Sequence, residues 1–159
     1  MPGSDPAILP LTSTAHSQMI DISAAVAGAI PAAFEGVCHV FCQHTTAAVT
    51  ISENADPDVV HDVLAALDRI VPWRHPDYRH SEGNSAAHVK SILVGPAVAV
   101  PVRAGRLVLG QWQALFFCEF DGPRSRRVVV QLVAAGARAA GDEGLAPGRQ
   151  RPAGKGGSL

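Results

Sequence analysis

Apolar residues cluster in the first third of the chain in the way that strands require. Residues 37–43 and 47–52 are two runs of β-branched, aromatic and cysteine side chains, which predict a pair of buried strands. Weaker runs at 8–12 and 16–22 predict two short strands, and Pro10 confines the first to a sheet edge or a bulge. These four runs predict the first strands of a sheet.

Two segments carry strong helix signals. Ser23 offers a cap for an alanine-rich helix over residues 24–30, which Pro31 should limit because proline lacks a backbone donor. Asp56 followed by Pro57 predicts a second helix start, with Asp56 accepting from the first free amides. The apolar face of this second helix is formed by Val60, Val63, Leu64, Leu67 and Ile70.

A polar, histidine-rich loop is predicted over residues 73–84, after Pro72 ends the second helix. Binding residues are often placed on such loops by a rigid scaffold. Asn84 or Ser85 could then cap a third, shorter helix that ends at Leu93.

The chain beyond Gly95 has a purely β pattern. Strands are predicted over residues 97–102, 106–109, 112–119 and 127–133, with a tight turn at 103–105 between the first two. This order predicts an antiparallel meander.

Composition bounds the class of protein. A chain of 159 residues with 47% hydrophobic side chains predicts one domain, over residues 1–140, followed by a flexible tail at 141–159. The formal net charge of -1 argues against nucleic acid as a partner. No apolar run approaches the roughly 20 residues of a membrane helix, and residues 1–10 do not resemble a signal peptide. We therefore expect a cytoplasmic protein with no membrane partner.

The three cysteines, Cys38, Cys42 and Cys118, form an odd set without a CxxC motif. This spacing argues against a disulfide framework. Cys38 and Cys42 should share one face of a strand with Val40, as small buried residues, although a redox or metal role is the alternative.

Histidines and carboxylates between residues 43 and 124 are the main candidates for chemistry. They are His44, His80, His88, Glu53, Glu82 and Glu119. Imidazoles are common metal ligands and carboxylates complete or orient such sites, so the set suggests a divalent metal, zinc or magnesium, assembled by folding. The alternative for each histidine is an ordinary surface hydrogen bond.

A phosphate could bind where the third helix begins. Asn84 precedes that helix, whose free amides favour anions, and Lys90 adds a positive charge. Arg124, with Arg126 and Arg127, could supply bidentate contacts. The alternative is a solvated charged surface.

Other residues leave more than one interpretation open. Thr45 and Thr46 adjoin His44, but threonines at a strand junction more often satisfy backbone amides than act as nucleophiles. Trp112 and Gln113 could form the wall and amide of a ligand pocket, although tryptophan in a sheet is more often core.

Glu53 and Asn54 end a strand, where polar groups can project into a cleft. Glu119 lies inside an apolar strand and needs a metal, an arginine or another donor. This requirement makes Glu119 the strongest acidic candidate for a functional role.

Five ordered motifs resemble the YjbQ-like family, also called secondary thiamine-phosphate synthase enzymes, over about residues 7–135. They are Gln43-His44-Thr45-Thr46-Ala47, Ser52-Glu53-Asn54-Ala55-Asp56-Pro57, His80-Ser81-Glu82-Gly83-Asn84 continuing through Ala87-His88-Val89-Lys90-Ser91, Leu109-Gly110-Gln111-Trp112-Gln113, and Glu119-Phe120-Asp121-Gly122-Pro123-Arg124. The resemblance implies a compact α+β fold, an antiparallel β-sandwich with two or three helices, assembled as a homotrimer with sites near subunit boundaries.

The resemblance also implies an activity that joins a pyrimidine diphosphate to a thiazole phosphate and releases pyrophosphate. By motif, His44, His80 and His88 would bind a metal; His44, Glu53, Asn54, Glu82, Lys90 and Glu119 would be catalytic; and Thr45, Thr46, Asn84, Trp112, Gln113 and Arg124 would bind a small phosphorylated substrate. Two other classes stay open: a metal-dependent hydrolase of a small phosphorylated compound and a non-catalytic trimeric binding protein.

Overall fold

The computed structural model describes residues 5–136, which form eight strands and three helices. The strands are β1 (Ala7–Thr12), β2 (Gln18–Asp21), β3 (Gly36–Cys42), β4 (Ala47–Glu53), β5 (Ala97–Arg103), β6 (Arg106–Leu107), β7 (Gln113–Glu119) and β8 (Ser125–Ala134). The helices are α1 (Ser23–Gly28), α2 (Pro57–Ile70) and α3 (Ser85–Val94). The predicted tail at 141–159 and both ends of the predicted domain lie outside the described residues.

Two antiparallel sheets form the framework. One has five strands in the order β1-β8-β3-β5-β6, and the other has three in the order β2-β7-β4. With three helices added, the predicted α+β class with antiparallel sheets is confirmed. Within the described residues no helix has the length and apolar character needed to cross a membrane.

The predicted meander is wrong, because successive C-terminal strands enter different sheets. β5 and β6 form a hairpin, but β7 pairs with β2 and β4, whereas β8 returns to lie between β1 and β3. Residues 114–118 of β7 are apolar on both faces and fully buried. A strand of this kind gains most when it is covered on both sides, which places β7 at the centre of the smaller sheet.

One hydrophobic core lies between the two sheets and includes Val26 of α1, and a second lies between the smaller sheet and helices α2 and α3. The first contains Val40, Val100 and Val130 from the large sheet and Leu115 and Phe117 from β7. The second is built from Ala48, Ala87, Ala114, Phe116, Cys118 and Phe120, with Val60, Leu64, Leu67 and Trp73 packed against it. β7 therefore contributes to both cores.

Cys38 and Cys42 are core residues, as predicted, and Cys118 lies in the second core. Cys38 and Cys42 point inward with Val40 on β3. Burial raises the pKa of Cys38 to about 11 and that of Cys118 to about 12, so these thiols remain protonated near neutral pH.

The structure confirms one predicted helix cap and corrects another. The Asp56 carboxylate accepts from the Asp58 amide at 2.9 Å, and Pro57 is the first residue of α2. Ser23, however, is already helical, and its hydroxyl accepts from the Leu115 amide at 2.9 Å. Because the Ser23 hydroxyl is hydrogen-bonded to β7, it does not cap α1, and Ile22 occupies the N-cap position.

The tight turn between β5 and β6 is confirmed. Arg103 pairs with Arg106, and the two residues between them, Ala104 and Gly105, have φ angles of 47° and 71°. A Cβ on Gly105 would lie 2.4 Å from the Ala32 carbonyl oxygen, so glycine is needed there for space as well as for conformation.

Helix α3 turns its larger apolar side chains away from the rest of the domain. Its buried residues are Ala86, Ala87, Lys90 and Ser91. Its exposed residues include Val89, Ile92 and Leu93, with Ile92 79% exposed. We call these three residues the outer face of α3. Contiguous exposed apolar side chains of this kind commonly mark an interaction surface.

Candidate functional site

Glu119, at the end of β7, is fully buried and saturated with donors. Arg126 on β8 donates to both carboxylate oxygens, at 2.7 and 2.6 Å, and the Ser13 hydroxyl donates at 2.8 Å. The amides of Phe120 and Asp121 donate as well, at 3.1 and 3.0 Å. Burial alone would raise the pKa of Glu119, but these hydrogen bonds hold it below its ordinary value. The partner that the sequence required is an arginine.

His44 and Thr46 lie beside this ion pair. The Thr46 hydroxyl accepts from Arg126 at 2.9 Å, and His44 Nε2 accepts from the Arg127 amide at 3.0 Å. Accepting at Nε2 places the proton of neutral His44 on Nδ1. Burial, followed by the charge of Arg126, lowers the pKa of His44. Thr45 is exposed on the same loop.

Asp121 connects the buried ion pair to the start of α3. Its carboxylate accepts from Arg124 at 2.7 Å and from the Asn84 amide group at 3.0 Å. The same Asn84 nitrogen lies 3.4 Å from Glu82. Asn84 is buried, and in the part of the chain described its Oδ1 atom has no hydrogen-bond partner. Arg124 is thereby engaged with a carboxylate of its own chain.

His80 and His88 form a pair of rings next to Glu82, the carboxylate that lies beside Asn84. Their ring centroids are 5.2 Å apart with the planes at 79°, and His80 Nε2 lies 3.8 Å from the Glu82 carboxylate. The His80 side chain is 43% exposed. His44 is not part of the pair, because its ring contacts Phe117 and its Nε2 faces Arg127. The three histidines expected to share a metal thus fall into two places.

His80 also borders two surface cavities. One, of about 400 Å³, is lined by aromatic and basic side chains that include Trp73, Arg74, His75 and Tyr78. The other, of about 340 Å³, is lined by Ser85, His88 and Val89. Residues 5–136 contain no group of three or more His, Cys, Asp or Glu side chains that could hold a metal ion. The histidine pair alone would supply two ligands.

Lys90 lies on the inner side of α3 and is 1% exposed. Its ammonium group forms an ion pair and hydrogen bond with Asp68 on α2, whose side chain is 60% exposed. The alternative of a solvated charged surface is wrong for Lys90, because the side chain is buried and its ammonium group pairs with a carboxylate of the same chain. In this arrangement Lys90 joins α2 to α3.

Glu53, Asn54, Trp112 and Gln113 lie at the opposite end of β7. Glu53 pairs with Gln113 across β4 and β7, and the Asn54 side chain donates to Asp21 at 2.6 Å. Trp112 is 59% exposed, so the core position favoured for it is wrong. Gln113 and Glu119 are six positions apart along the strand, a distance of about 20 Å. Within one chain the predicted site residues therefore form two separate groups.

Several partners at these sites were not singled out from the sequence. They are Asp21, Ser13, Asp68, Asp121, Arg74 and Tyr78, together with the specific pairing of Arg126. Arg126 had a usable signal, because it has the same alternation as the inward-facing Val128, Val130 and Leu132. Ser13, Asp21, Asp68 and Asp121 depend on contacts between residues distant in the chain, whereas Arg74 and Tyr78 lie in the predicted histidine-rich loop over residues 73–84.

Comparison with known proteins gives one consistent result. The model of the family described as UPF0047 protein YjbQ-like matches residues 7–135. The UPF0047 protein YugU of Bacillus subtilis is 46% identical over 127 residues, covering 79% of this chain and 96% of that protein. The UPF0047 protein MJ1081 of Methanocaldococcus jannaschii is 40% identical over 120 residues, covering 74% and 86%.

Solved structures agree with the sequence matches. A YjbQ/UPF0047 protein from Clostridium acetobutylicum has a TM-score of 0.77 at 44% identity, covering 80% of this chain and 99% of that one. The conserved hypothetical protein TT1486 from Thermus thermophilus has a TM-score of 0.76 at 40% identity, with the same coverage. Both solved chains are thus matched over nearly their whole length.

Proposed function

This chain belongs to the UPF0047 YjbQ-like family, and on that premise we propose that it is an enzyme acting on a small phosphorylated compound beside the His80–His88 pair. The specific reaction proposed joins a pyrimidine diphosphate to a thiazole phosphate and releases pyrophosphate. The observation that carries the proposal is the position of His80 between two cavities, one of which is lined with basic and aromatic groups.

The side chains that line the larger of the two cavities at His80 suit a heterocycle that carries a phosphate. Arg74, His75 and His80 are basic groups that can face a phosphate, and the rings of Trp73 and Tyr78 can pack against a heterocycle. A volume of about 400 Å³ falls in the range typical of small-molecule sites. Placed at the edge of this cavity, His80 is within reach of a bound substrate as an acid, a base or a ligand.

A divalent metal at the pair is part of the proposal. Two imidazoles with centroids 5.2 Å apart fit two positions around one ion, and nitrogen donors favour zinc over magnesium. Because the described residues provide no third ligand, the remaining positions would be filled by water, substrate or a second copy of the chain. A bound ion would supply charge neutralisation for a departing diphosphate.

A homotrimer is also proposed, as a way to cover the outer face of α3. Val89 belongs both to that face and to the smaller cavity beside His88. A neighbouring copy packed on this face would therefore border the histidine pair and could complete the site. The exposed apolar side chains Ile8, Phe41 and Val133 on the large sheet offer a second surface for such packing.

The test combines metal content, native mass and turnover on one set of samples. The His80→Ala/His88→Ala double variant is compared with wild type and with His61→Ala, which changes an exposed histidine on α2. Pyrophosphate release from an aminopyrimidine diphosphate and a thiazole phosphate is followed with and without chelator. We expect about one metal per chain, trimeric mass and turnover in wild type and His61→Ala, and loss of metal and turnover in the double variant.

Other outcomes would redirect the assignment. Phosphate release from one phosphorylated compound, without a second substrate, would identify a hydrolase. Thermal stabilisation by either substrate without any product would identify a binding protein. Full metal content and activity in the double variant would remove the histidine pair from the site.

A further inference from the structure

We propose that the cavity at the Gln113 end of β7 is a second binding site, for a planar heterocycle that carries a positive charge or an amino group. This cavity, of about 370 Å³, lies at the opposite end of the strand from Glu119 and is lined by a different set of residues from the two cavities at His80. The inference does not depend on the proposed synthase reaction.

The cavity presents an uncovered aromatic ring from a fixed backbone. Trp112 is 59% exposed although its own carbonyl is held by the Asn54 amide at 2.9 Å. The turn before it is closed twice, since the Gln113 amide donates to the Gly110 carbonyl at 3.0 Å and the Gln113 side chain accepts from the Gly110 amide at 2.8 Å. The indole is thus displayed by an ordered turn, and an ordered exposed tryptophan is a good stacking platform.

Polar groups around the ring are held in place yet retain hydrogen-bonding capacity. The Asp21 carboxylate accepts from the Ser23 amide at 2.8 Å and from the Asn54 side chain at 2.6 Å. An ionised carboxylate has about four acceptor sites, so Asp21 can accept further bonds. The Asn54 oxygen and the Gln113 amide nitrogen add one acceptor group and one donor group beside it.

The charge of the lining selects the class of ligand. Asp21 is the sole charged residue among the described residues that line this cavity, and Glu53 is the neighbour of Asn54 in the chain. A phosphate would meet only negative charge here, in contrast to the cavity that contains Arg74 and His75. A cation over the indole face, hydrogen-bonded to the carboxylate, gains both cation–π and ionic attraction. Pyridinium and aminopyrimidine rings meet these requirements.

The chain contains two tryptophans, so the indole N–H signals provide an internal comparison. The full-length protein labelled with ¹⁵N is titrated with N-methylpyridinium and 4-aminopyrimidine, and with uracil and inorganic phosphate as probes that lack the predicted features. We expect a saturable shift of the Trp112 signal with the first two probes and none with the last two. With N-methylpyridinium the Trp73 signal should stay in place, because the cavity that Trp73 lines contains basic side chains.

Variants separate the site from a non-specific effect. Asp21→Asn should weaken binding of N-methylpyridinium about tenfold, whereas Asp62→Asn, at an exposed position on α2, should leave it unchanged. Trp112→Leu should abolish binding, detected by the ligand's own NMR signal, which settles the matter if Asp21→Asn fails to fold. The His80→Ala/His88→Ala variant should bind normally.

Three results would overturn the proposal. They are the absence of saturation at Trp112, an equal response to uracil, and loss of binding in the His80→Ala/His88→Ala variant. The last result would mean that the two ends of β7 meet across copies in a single site. None of these results depends on synthase turnover, so the two proposals fail separately.

Discussion

The two ends of β7 use polar residues in opposite ways. At one end Glu119 is fully buried and accepts from five donors, so its hydrogen-bonding capacity is used within the chain. At the other end Trp112 is 59% exposed and Asp21 keeps unused acceptor positions beside a cavity. Polar groups that are buried and saturated hold the fold together, whereas partly satisfied groups at an open surface are available to a ligand.

We call the Glu119 end of β7 the closed end. Breaking the Glu119–Arg126 ion pair there should have the largest effect on stability. Arg126→Met leaves the Glu119 carboxylate buried without its counter-charge, and we expect a loss of about 3–5 kcal/mol in the free energy of unfolding. Urea unfolding followed by circular dichroism measures this loss. The control is Arg124→Met, since the Arg124 side chain is 52% exposed and should cost less than about 1 kcal/mol. Equal losses in the two variants would contradict the view that the buried Glu119–Arg126 pair stabilises the fold more than the exposed Arg124 does.

Acid should also lower the free energy of unfolding, by protonating Glu119. The loss should be smaller than that caused by Arg126→Met, because protonation leaves every side chain in place. The folded-state pKa of Glu119 lies below its ordinary value of about 4.3. Its contribution to stability is therefore fully present above about pH 4.3 and is lost as the pH falls through the folded-state pKa. The measurement is the free energy of unfolding between pH 7 and pH 3, in wild type and in a Glu119→Gln/Arg126→Met variant. A drop of the same size in both would exclude Glu119 as its source.

The Lys90–Asp68 pair should respond less than the closed end of β7. Lys90→Met removes the buried charge and leaves Asp68, which is 60% exposed and can be hydrated. We expect a loss of about 1 kcal/mol or less, since an apolar side chain of similar length can fill the space. Thermal and urea unfolding of Lys90→Met beside Arg126→Met gives the comparison. A loss as large as that of Arg126→Met would show that the pair is as important as the one at Glu119.

We call the Gln113 end of β7 the open end. Substitution of its exposed tryptophan should leave the free energy of unfolding nearly unchanged. Trp112→Ala removes a side chain that is mostly in solvent, and we expect a change within about 0.5 kcal/mol. Trp73→Ala is the matched control, because Trp73 packs against the second core and should cost clearly more. If Trp112→Ala were as costly as Trp73→Ala, the indole would be a structural element and not a free surface.

Local signals in the sequence predicted local structure well. Asp56 and Pro57 mark the start of α2, and the alternation of Cys38, Val40 and Cys42 identifies the inward face of β3, because caps and strand faces depend on near neighbours. The partition of the C-terminal strands between two sheets was not predicted, since it depends on pairing β7 with β2 and β4. The apolar run from Ala114 to Cys118 was its one visible sign.

The candidate site was less predictable than the fold. That Glu119 requires a partner follows from one residue in an apolar strand, but a choice between metal and arginine requires the position of β8. Lys90 has a helical spacing that fits either face, and only the contact with Asp68, 22 positions away, places it inside. His44 belongs to the same set of family motifs as His80 and His88 but lies apart from them, because order along the chain does not fix distance in space.

The central position of β7 has a consequence for how the molecule opens. Its backbone is hydrogen-bonded to β2 on one side and β4 on the other, and both of its faces are covered. No local fraying releases these amides, so in heavy water residues 116–118, which are paired on both sides, should exchange their protons only when the whole domain unfolds. The exchange rate of this one strand then reports the global unfolding equilibrium, while helices on the surface report their own, faster openings.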